Sequence, residues 1–462
     1  MSPNRSPSPD SHDHDSRAHE GPRLAFGLDR DIVLGAGNSV RYAVFSVTAP
    51  AAPQRTEPRP PLNLALVVDA SGSMAGAPLH AACEGAARVI EQLGEQDHLS
   101  LVSFASDVVV HLSAVRLDAQ GKALATSALR ELRTRGSTDL GAGWLAGCEA
   151  VATRQAFVAT AERNHVVVLS DGHANQGIVD PVQLVLHAGE LRARGVLTST
   201  VGIGTGYSPV QLQAISEAGG GRMHDAERPE EIAEVLLAEL ADTLATTVEQ
   251  LQLALQLPPL VRAEVYGTAP VSHVAGEYRI LLGSVLASAT RQLVVKLTFP
   301  AGVEGATLEL GATATWRDPV ACTDHVRALP SVTLRHGSVR ECVEQPRDLD
   351  RARVVLAQWQ AHVLHQAMVR NQRGELRGAV EFVQRELHHF TRYCRGIPEA
   401  ETLLRTLNEY LHSVGHHQDA VTAKEMLLAS YKRGRGESDR RSMMRGSLED
   451  QVRGMSGFRP PR

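Results

Sequence analysis

The chain has 462 residues, room for roughly two to four domains. Hydrophobic residues make up 43% and charged residues 21%, an ordinary globular balance with apolar material for a core in each domain. The formal net charge of −5 argues against nucleic acid as a specific partner. Five scattered cysteines with no C-x-x-C pair (Cys83, Cys148, Cys322, Cys342, Cys394) argue against a disulfide framework or a paired-cysteine zinc site.

Residues 1–22 are Ser, Pro, His and Asp with almost nothing to bury, and read as a disordered tail. His12, His14 and His19 read as solvated rather than chelating, because a disordered site must first offset its ordering entropy. No apolar stretch follows the N-terminal charges as in a secretory signal, and no segment is long enough to span a bilayer, so the expected location is cytoplasmic. Residues 23–50 read as β-strands, centred on the β-branched and aromatic run Val40–Val47, whose alternation is imperfect. Residues 51–61 form a Pro-rich linker, extended and non-helical.

The character changes over 62–243. Leu64–Val68 is a short apolar run, as expected of a strand buried on both faces. A helix follows from Pro78 to Leu93, then a hairpin of Leu99–Phe104 and Val108–Leu112. Helices are predicted near 119–134, 141–156, 181–194, 209–218 and 228–243. Strands are predicted at His165–Leu169, Val196–Ile203 and Gly221–His224. This alternation implies a mainly parallel sheet with one antiparallel edge strand, covered on both faces by helices.

Residues 246–340 return to β. Leu251–Leu257 alternates strictly, and Tyr278–Leu282, Leu293–Phe299, Ala306–Trp316 and Val332–Leu334 continue the series as a β-sandwich. The orphaned strands of 23–50 are expected to complete it, with the α/β domain inserted between. Residues 349–431 read as helices at 349–372, 375–394, 398–413 and 418–431, with Trp359 and Phe390 as packing residues. Residues 432–462 are basic and Gly-rich, and read as a disordered, solvated tail.

The chemistry concentrates in Asp69-Ala70-Ser71-Gly72-Ser73, directly after the first buried strand, where ligands bind in open α/β sheets. A carboxylate and two hydroxyls alternate there in one loop. Gly136-Ser137-Thr138-Asp139 precedes a helix, and Ser170-Asp171-Gly172 follows another buried strand. All the donors are hard oxygens, which suit Mg²⁺, Mn²⁺ or Ca²⁺ rather than zinc or copper. Each piece alone has a plainer reading. Asp69 and Ser71, or Thr138 and Asp139, could cap the helices that follow them, and Asp171-Gly172 could be a simple turn. Caps and turns do not explain why the residues together form one divalent-metal oxygen set.

The D-x-S-x-S loop, the distal Thr and the distal Asp beside Gly resemble the von Willebrand factor A family and its metal-ion-dependent adhesion site, over about residues 62–243. The resemblance implies Ser71, Ser73 and Thr138 as hydroxyl ligands, and Asp69 and Asp171 as ligands directly or through water. Asp139 is left as a capping or supporting residue. The flanking β segments and helical tail look like bacterial proteins of the calcium-activated-chloride-channel-like or inter-alpha-trypsin-inhibitor-like type, by domain order.

The resemblance implies a non-enzymatic, Mg²⁺-dependent interaction module whose protein partner supplies an Asp or Glu to the metal. An alternative is a scaffold or cofactor of an AAA+ ATPase or stress-response machine, by family analogy only. A metal-assisted hydrolase is the least favoured reading. His173 is its only obvious base, no G-x-S-x-G elbow or Walker A sequence is present, and Tyr207 occupies the third glycine position of a Rossmann-type Gly-rich loop at 202–206.

Overall fold

The computed structural model describes residues 21–52, 59–157, 162–172, 174–274, 276–398, 400–416 and 420–434. Most of the two expected disordered tails, the middle of the Pro-rich linker and His173 lie outside the described residues. Three strands come first: β1 (Arg23–Leu28), β2 (Ile32–Leu34) and β3 (Ser39–Thr48). β3 is buried on both faces, which accounts for its imperfect polar alternation.

The α/β unit follows. It comprises β4 (Leu62–Asp69), α1 (Ala77–Gln92), β5 (His98–Phe104), β6 (Val108–Arg116), α2 (Ala119–Glu131) and α3 (Leu140–Phe157). It continues with β7 (Arg163–Ser170), α4 (Pro181–Ala193), β8 (Val196–Ile203), α5 (Pro209–Ala218), β9 (Gly220–Ala226) and α6 (Ile232–Ala245). The last helix starts later than the predicted residue 228, because Pro229–Glu231 form a separate 3₁₀ turn. The sheet order is β6-β5-β4-β7-β8-β9, parallel except for the edge strand β6. One face packs under α1, α2 and α6 through Leu64, Leu66 and Val68, and the other under α3, α4 and α5 through Ala65 and Val67. Strand order reverses between β4 and β7, so their C-terminal ends open the crevice where α/β sheets bind ligands.

The chain then returns to β with β10 (Thr246–Gln256), β11 (Arg262–Val265), β12 (Val271–Val274), β13 (Glu277–Leu286), β14 (Thr290–Phe299), β15 (Thr307–Asp318), β16 (Thr323–Ala328) and β17 (Val332–Gly337). Two sheets face each other. One has the order β1-β3-β14-β11. The other runs β12-β13-β10-β15-β17-β2, with β16 added on β15. β3 pairs antiparallel with β14 along ten residues, from Ser39–Phe299 to Thr48–Thr290. The sandwich is thus built from both sides of the α/β insertion. Its core interleaves Phe45 and Val47 with Leu251, Leu253, Leu255, Leu293 and Leu297. Strands β11, β12 and β16 were not anticipated from sequence.

A short helix α7 (Val339–Glu344) leads to α8 (Leu349–Gln372), α9 (Leu376–Cys394), α10 (Ala400–Ser413) and α11 (Ala420–Gly434). Their apolar faces close on the outer surface of the four-stranded sheet through Tyr42, Val44 and Val294. Trp359 and Phe390 are buried in that core, and the Trp359 indole donates to Glu386 at 3.0 Å. α11 runs to Gly434, a few residues past the predicted end. Among the described residues, no helix is long and apolar enough to cross a membrane.

Candidate metal centre

Three loops meet at the β4/β7 crevice and are tied together by their backbones. The Arg135 N–H donates to Ala70 O at 2.6 Å, the Gly72 N–H to Gly136 O at 3.1 Å and the Asn175 N–H to Thr138 O at 3.2 Å. Gly136 takes φ +39°, and a Cβ there would lie 2.2 Å from Ser106 Oγ, so the close approach of its loop to the β5–β6 turn depends on glycine.

The five predicted oxygen-bearing side chains all belong to these loops. Ser73 Oγ donates to Asp171 Oδ1 at 2.7 Å, and Ser71 Oγ and Ser73 Oγ share a hydrogen bond of 3.1 Å. The Asp69 carboxylate accepts from the Ser71 N–H at 2.8 Å and from Ser170 Oγ at 2.6 Å. Thr138 faces the same space: a Cβ built on Gly172 would come 3.3 Å from Thr138 Oγ1 and 3.9 Å from Ser73 Oγ, so any side chain at 172 would intrude on the donor set. Asp69, Ser71 and Thr138 are buried, Asp171 is half-buried and Ser73 is exposed. The site is therefore a cup with a buried floor and one open side.

The simpler roles fall elsewhere. The N-cap of α1 is Gly76, and Ser71 caps no N–H with its side chain. At α3 the cap is Asp139, whose Oδ1 accepts from the Ala142 N–H at 2.9 Å, leaving the Thr138 hydroxyl uncommitted to that helix. Asp171 is engaged by Ser73 from another loop. Two supporting residues escaped the sequence reading. Ser170 holds Asp69 from the end of β7, and Asn175 Oδ1 accepts from the Thr138 N–H at 3.2 Å. Ser170 adjoins the predicted Asp171, which was a usable hint, whereas no local pattern marks Asn175.

Burial pushes the Asp69 carboxyl up from its ordinary range against the hydrogen bonds from Ser170 and Ser71. Burial likewise raises Asp171, opposed by the Ser73 hydrogen bond, with the neighbouring Asp69 charge adding to the rise. Among the described residues neither carboxylate has an ion-pair partner. Two carboxylates held near three hydroxyls without a cationic side chain form a donor set that fits a hard divalent cation. Among the described residues there is no cluster of three His, Cys, Asp or Glu, so a soft-metal site of that kind is not formed. The candidate base His173 lies outside the described residues.

Comparisons with known proteins bear on the fold around this crevice. Residues 63–237 match the von Willebrand factor type A domain. The uncharacterized protein YfbK of Escherichia coli is 27% identical over 240 residues, and the uncharacterized protein sll0103 of Synechocystis is 30% identical over 253. These alignments cover 51% and 54% of this chain but only 40% and 56% of those relatives. Human inter-alpha-trypsin inhibitor heavy chain H3 is 30% identical over 129 residues, 27% of this chain and 14% of that protein. A solved von Willebrand factor type A protein from Catenulispora acidiphila superposes with a TM-score of 0.65 at 18% identity, covering 90% of this chain and 97% of that one. The ArnB paralog VWA2 of Sulfolobus acidocaldarius gives 0.57 at 13% identity, with 90% and 99% covered. At such identities both likenesses concern the fold, and they extend it across sandwich and helices together. The α/β unit of this chain belongs to the von Willebrand factor type A family.

Proposed function

We propose that the chain is a divalent-cation-dependent protein-binding module. In this reading Ser71, Ser73 and Thr138 offer neutral hydroxyl oxygens, and Asp69 and Asp171 supply the charge that offsets Mg²⁺, with Mn²⁺ or Ca²⁺ as substitutes. The cation, when bound, supplies an electrophilic position that an Asp or Glu of a protein partner can complete. The rest is the work of the chain. Ser170 and the Ser71 N–H fix the orientation of Asp69, Asn175 and Asp139 hold the Thr138 loop, and the buried floor limits access to the side where Ser73 and Asp171 meet solvent. The reading assigns the site to binding rather than turnover. The five cysteines, all free, support a reducing compartment, and in this reading the module works in the cytoplasm.

The observation that carries this reading is the convergence of five oxygen-bearing side chains from three loops on one half-open cup, with two carboxylates that have no ion-pair partner among the described residues. The test is titration calorimetry of the full chain with Mg²⁺ and Mn²⁺. About one equivalent should bind, as one donor set dictates, and Asp69→Ala should abolish it while the chain stays folded by circular dichroism. Equal binding by wild type and Asp69→Ala would overturn the assignment.

A further inference from the structure

A groove opens beside the metal cup, between α1 and α2. Its volume is about 630 Å³. The floor is apolar, made by Leu79 and Cys83 of α1 with Leu129 of α2 and Leu132 just after it. One end is bounded by Gly76 and Thr134. Gly76 lies three residues after Ser73, and Thr134 four before Thr138. The two loops are joined there by the Gly72–Gly136 backbone hydrogen bond, so the groove starts at the rim of the cup. From Gly76 it follows α1 to Ala87, about 16 Å at the helical rise of ~1.5 Å per residue.

The charge along the groove is one-sided. Arg130 and Arg133 are exposed on its α2 side, and among the described residues neither is ion-paired with a carboxylate. Among the described residues the Arg133 guanidinium donates to the carbonyls of Arg130 and Leu132, at 2.6 and 2.7 Å, and to no carboxylate. The acid on the α1 side, Glu84, is already paired with Arg88 at 2.6 Å. An apolar floor under an unneutralised basic rim is complementary to a chain that is apolar on one side and acidic on the other. In the extended form, at ~3.3 Å per residue, about five residues fill that length.

We infer that the partner is an acidic, amphipathic peptide segment: one carboxylate completes the cation site, apolar side chains within about five residues of it enter the α1–α2 groove, and further Asp or Glu residues lie over Arg130 and Arg133. The inference rests on the cation reading above and adds a sequence requirement to it. The metal alone would accept any accessible carboxylate, whereas cup and groove together select one flanked by apolar and acidic residues.

The test selects phage-displayed random dodecapeptides on the full chain in Mg²⁺. The winners are then synthesised, and their affinity measured by fluorescence anisotropy against four proteins: wild type, Arg130→Glu/Arg133→Glu, Ala87→Phe and Asp69→Ala. The arginine pair is exposed and its reversal leaves the core intact. Ala87→Phe fills the groove and is checked by circular dichroism. The expected winners carry an Asp or Glu close to Leu, Ile or Phe, lose binding in EDTA and to Asp69→Ala, and weaken on the order of tenfold against the arginine-reversed and groove-filled proteins. Peptides that need Mg²⁺ and Asp69 but ignore both groove variants would leave the cation reading standing and overturn this one. Peptides that need the groove but bind equally in EDTA would overturn both, as would the absence of any acid-bearing winner.

Discussion

Lys424 on α11 and Asp225 at the end of β9 form an ion pair of 3.1 Å between the helical region and the α/β unit, with side-chain exposures of 6% and 3%. The ammonium also donates to Gly204 O and lies 4.1 Å from the centre of the Tyr207 ring, while Tyr207 OH donates to Asp225 Oδ1 at 2.5 Å. Removing one charge of a buried pair strands the other, at a cost of about 3–5 kcal/mol. Lys424→Met is therefore predicted to lower unfolding stability by about that amount, and Lys424→Met/Asp225→Asn to lower it by less than the sum of the single changes. Additive losses in urea titration would show that the two residues are not coupled.

The sandwich depends on residues that precede the α/β insertion. β3 lies between β1 and β14 and buries Tyr42, Val44, Phe45 and Val47. At about 1.5–3 kcal/mol for each large side chain, their loss approaches the 5–15 kcal/mol that holds an ordinary domain. A chain beginning at Pro61 is predicted to expose the β14 edge and associate. Sedimentation that finds it monomeric, with an unfolding midpoint equal to the full chain's, would contradict this.

The two predictions differ in how visible their residues were in the sequence. β3 was legible as a strand from its β-branched and aromatic content, and its want of a local partner pointed to the distant sandwich. Asp69, Ser71 and Ser73 were legible because one loop carries them in alternation. Ser170 was hinted at only by its place beside Asp171, and Asn175 by nothing local, since each acquires its role only when β4, β7 and the Thr138 loop come together. β11, β12 and β16 escaped because they are short strands with little or no buried face to impose alternation. Helix α7 carries a local start signal: Ser338 and Glu341 form a capping box. Lys424 offered none, because a lysine on an amphipathic helix ordinarily faces water.

Acid should destabilise the helical region through His365. Burial, with the neighbouring His362 charge adding to it, pushes this imidazole down to about 4, and its Nδ1 lies 3.3 Å from Ser430 Oγ of α11. A histidine whose folded value lies below its unfolded value of about 6.5 favours the fold fully above that pH. As pH falls from about 6.5 to about 4, the unfolded chain gains a proton that the folded chain refuses, and this contribution, at most about 3 kcal/mol, is lost. His365→Gln is expected to flatten the stability profile in that window. An unchanged profile would place the acid sensitivity in other groups.

Adjacent residues at the cup should separate cleanly in their effects. Asp139 and Thr138 are neighbours, but the Asp139 carboxylate accepts from the Ala142 N–H and caps α3, while the Thr138 side chain faces Ser73 across Gly172. Asp139→Ala removes a cap and is predicted to cost about 0.5–2 kcal/mol of stability. Because the cap also anchors the Thr138 loop, a modest loss of Mg²⁺ affinity should accompany it. Thr138→Val keeps the shape and deletes the hydroxyl, so stability should change by less than about 1 kcal/mol while Mg²⁺ affinity falls by about tenfold or more. Thermal unfolding with and without Mg²⁺ reads both quantities, since a ligand at a hundred times its Kd stabilises the folded state by about 2.7 kcal/mol. Wild type and Asp139→Ala should both gain on adding Mg²⁺, and Thr138→Val should gain much less. A full Mg²⁺ response in Thr138→Val would remove that hydroxyl from the donor set and leave the cation, if bound, to the two serines and two aspartates.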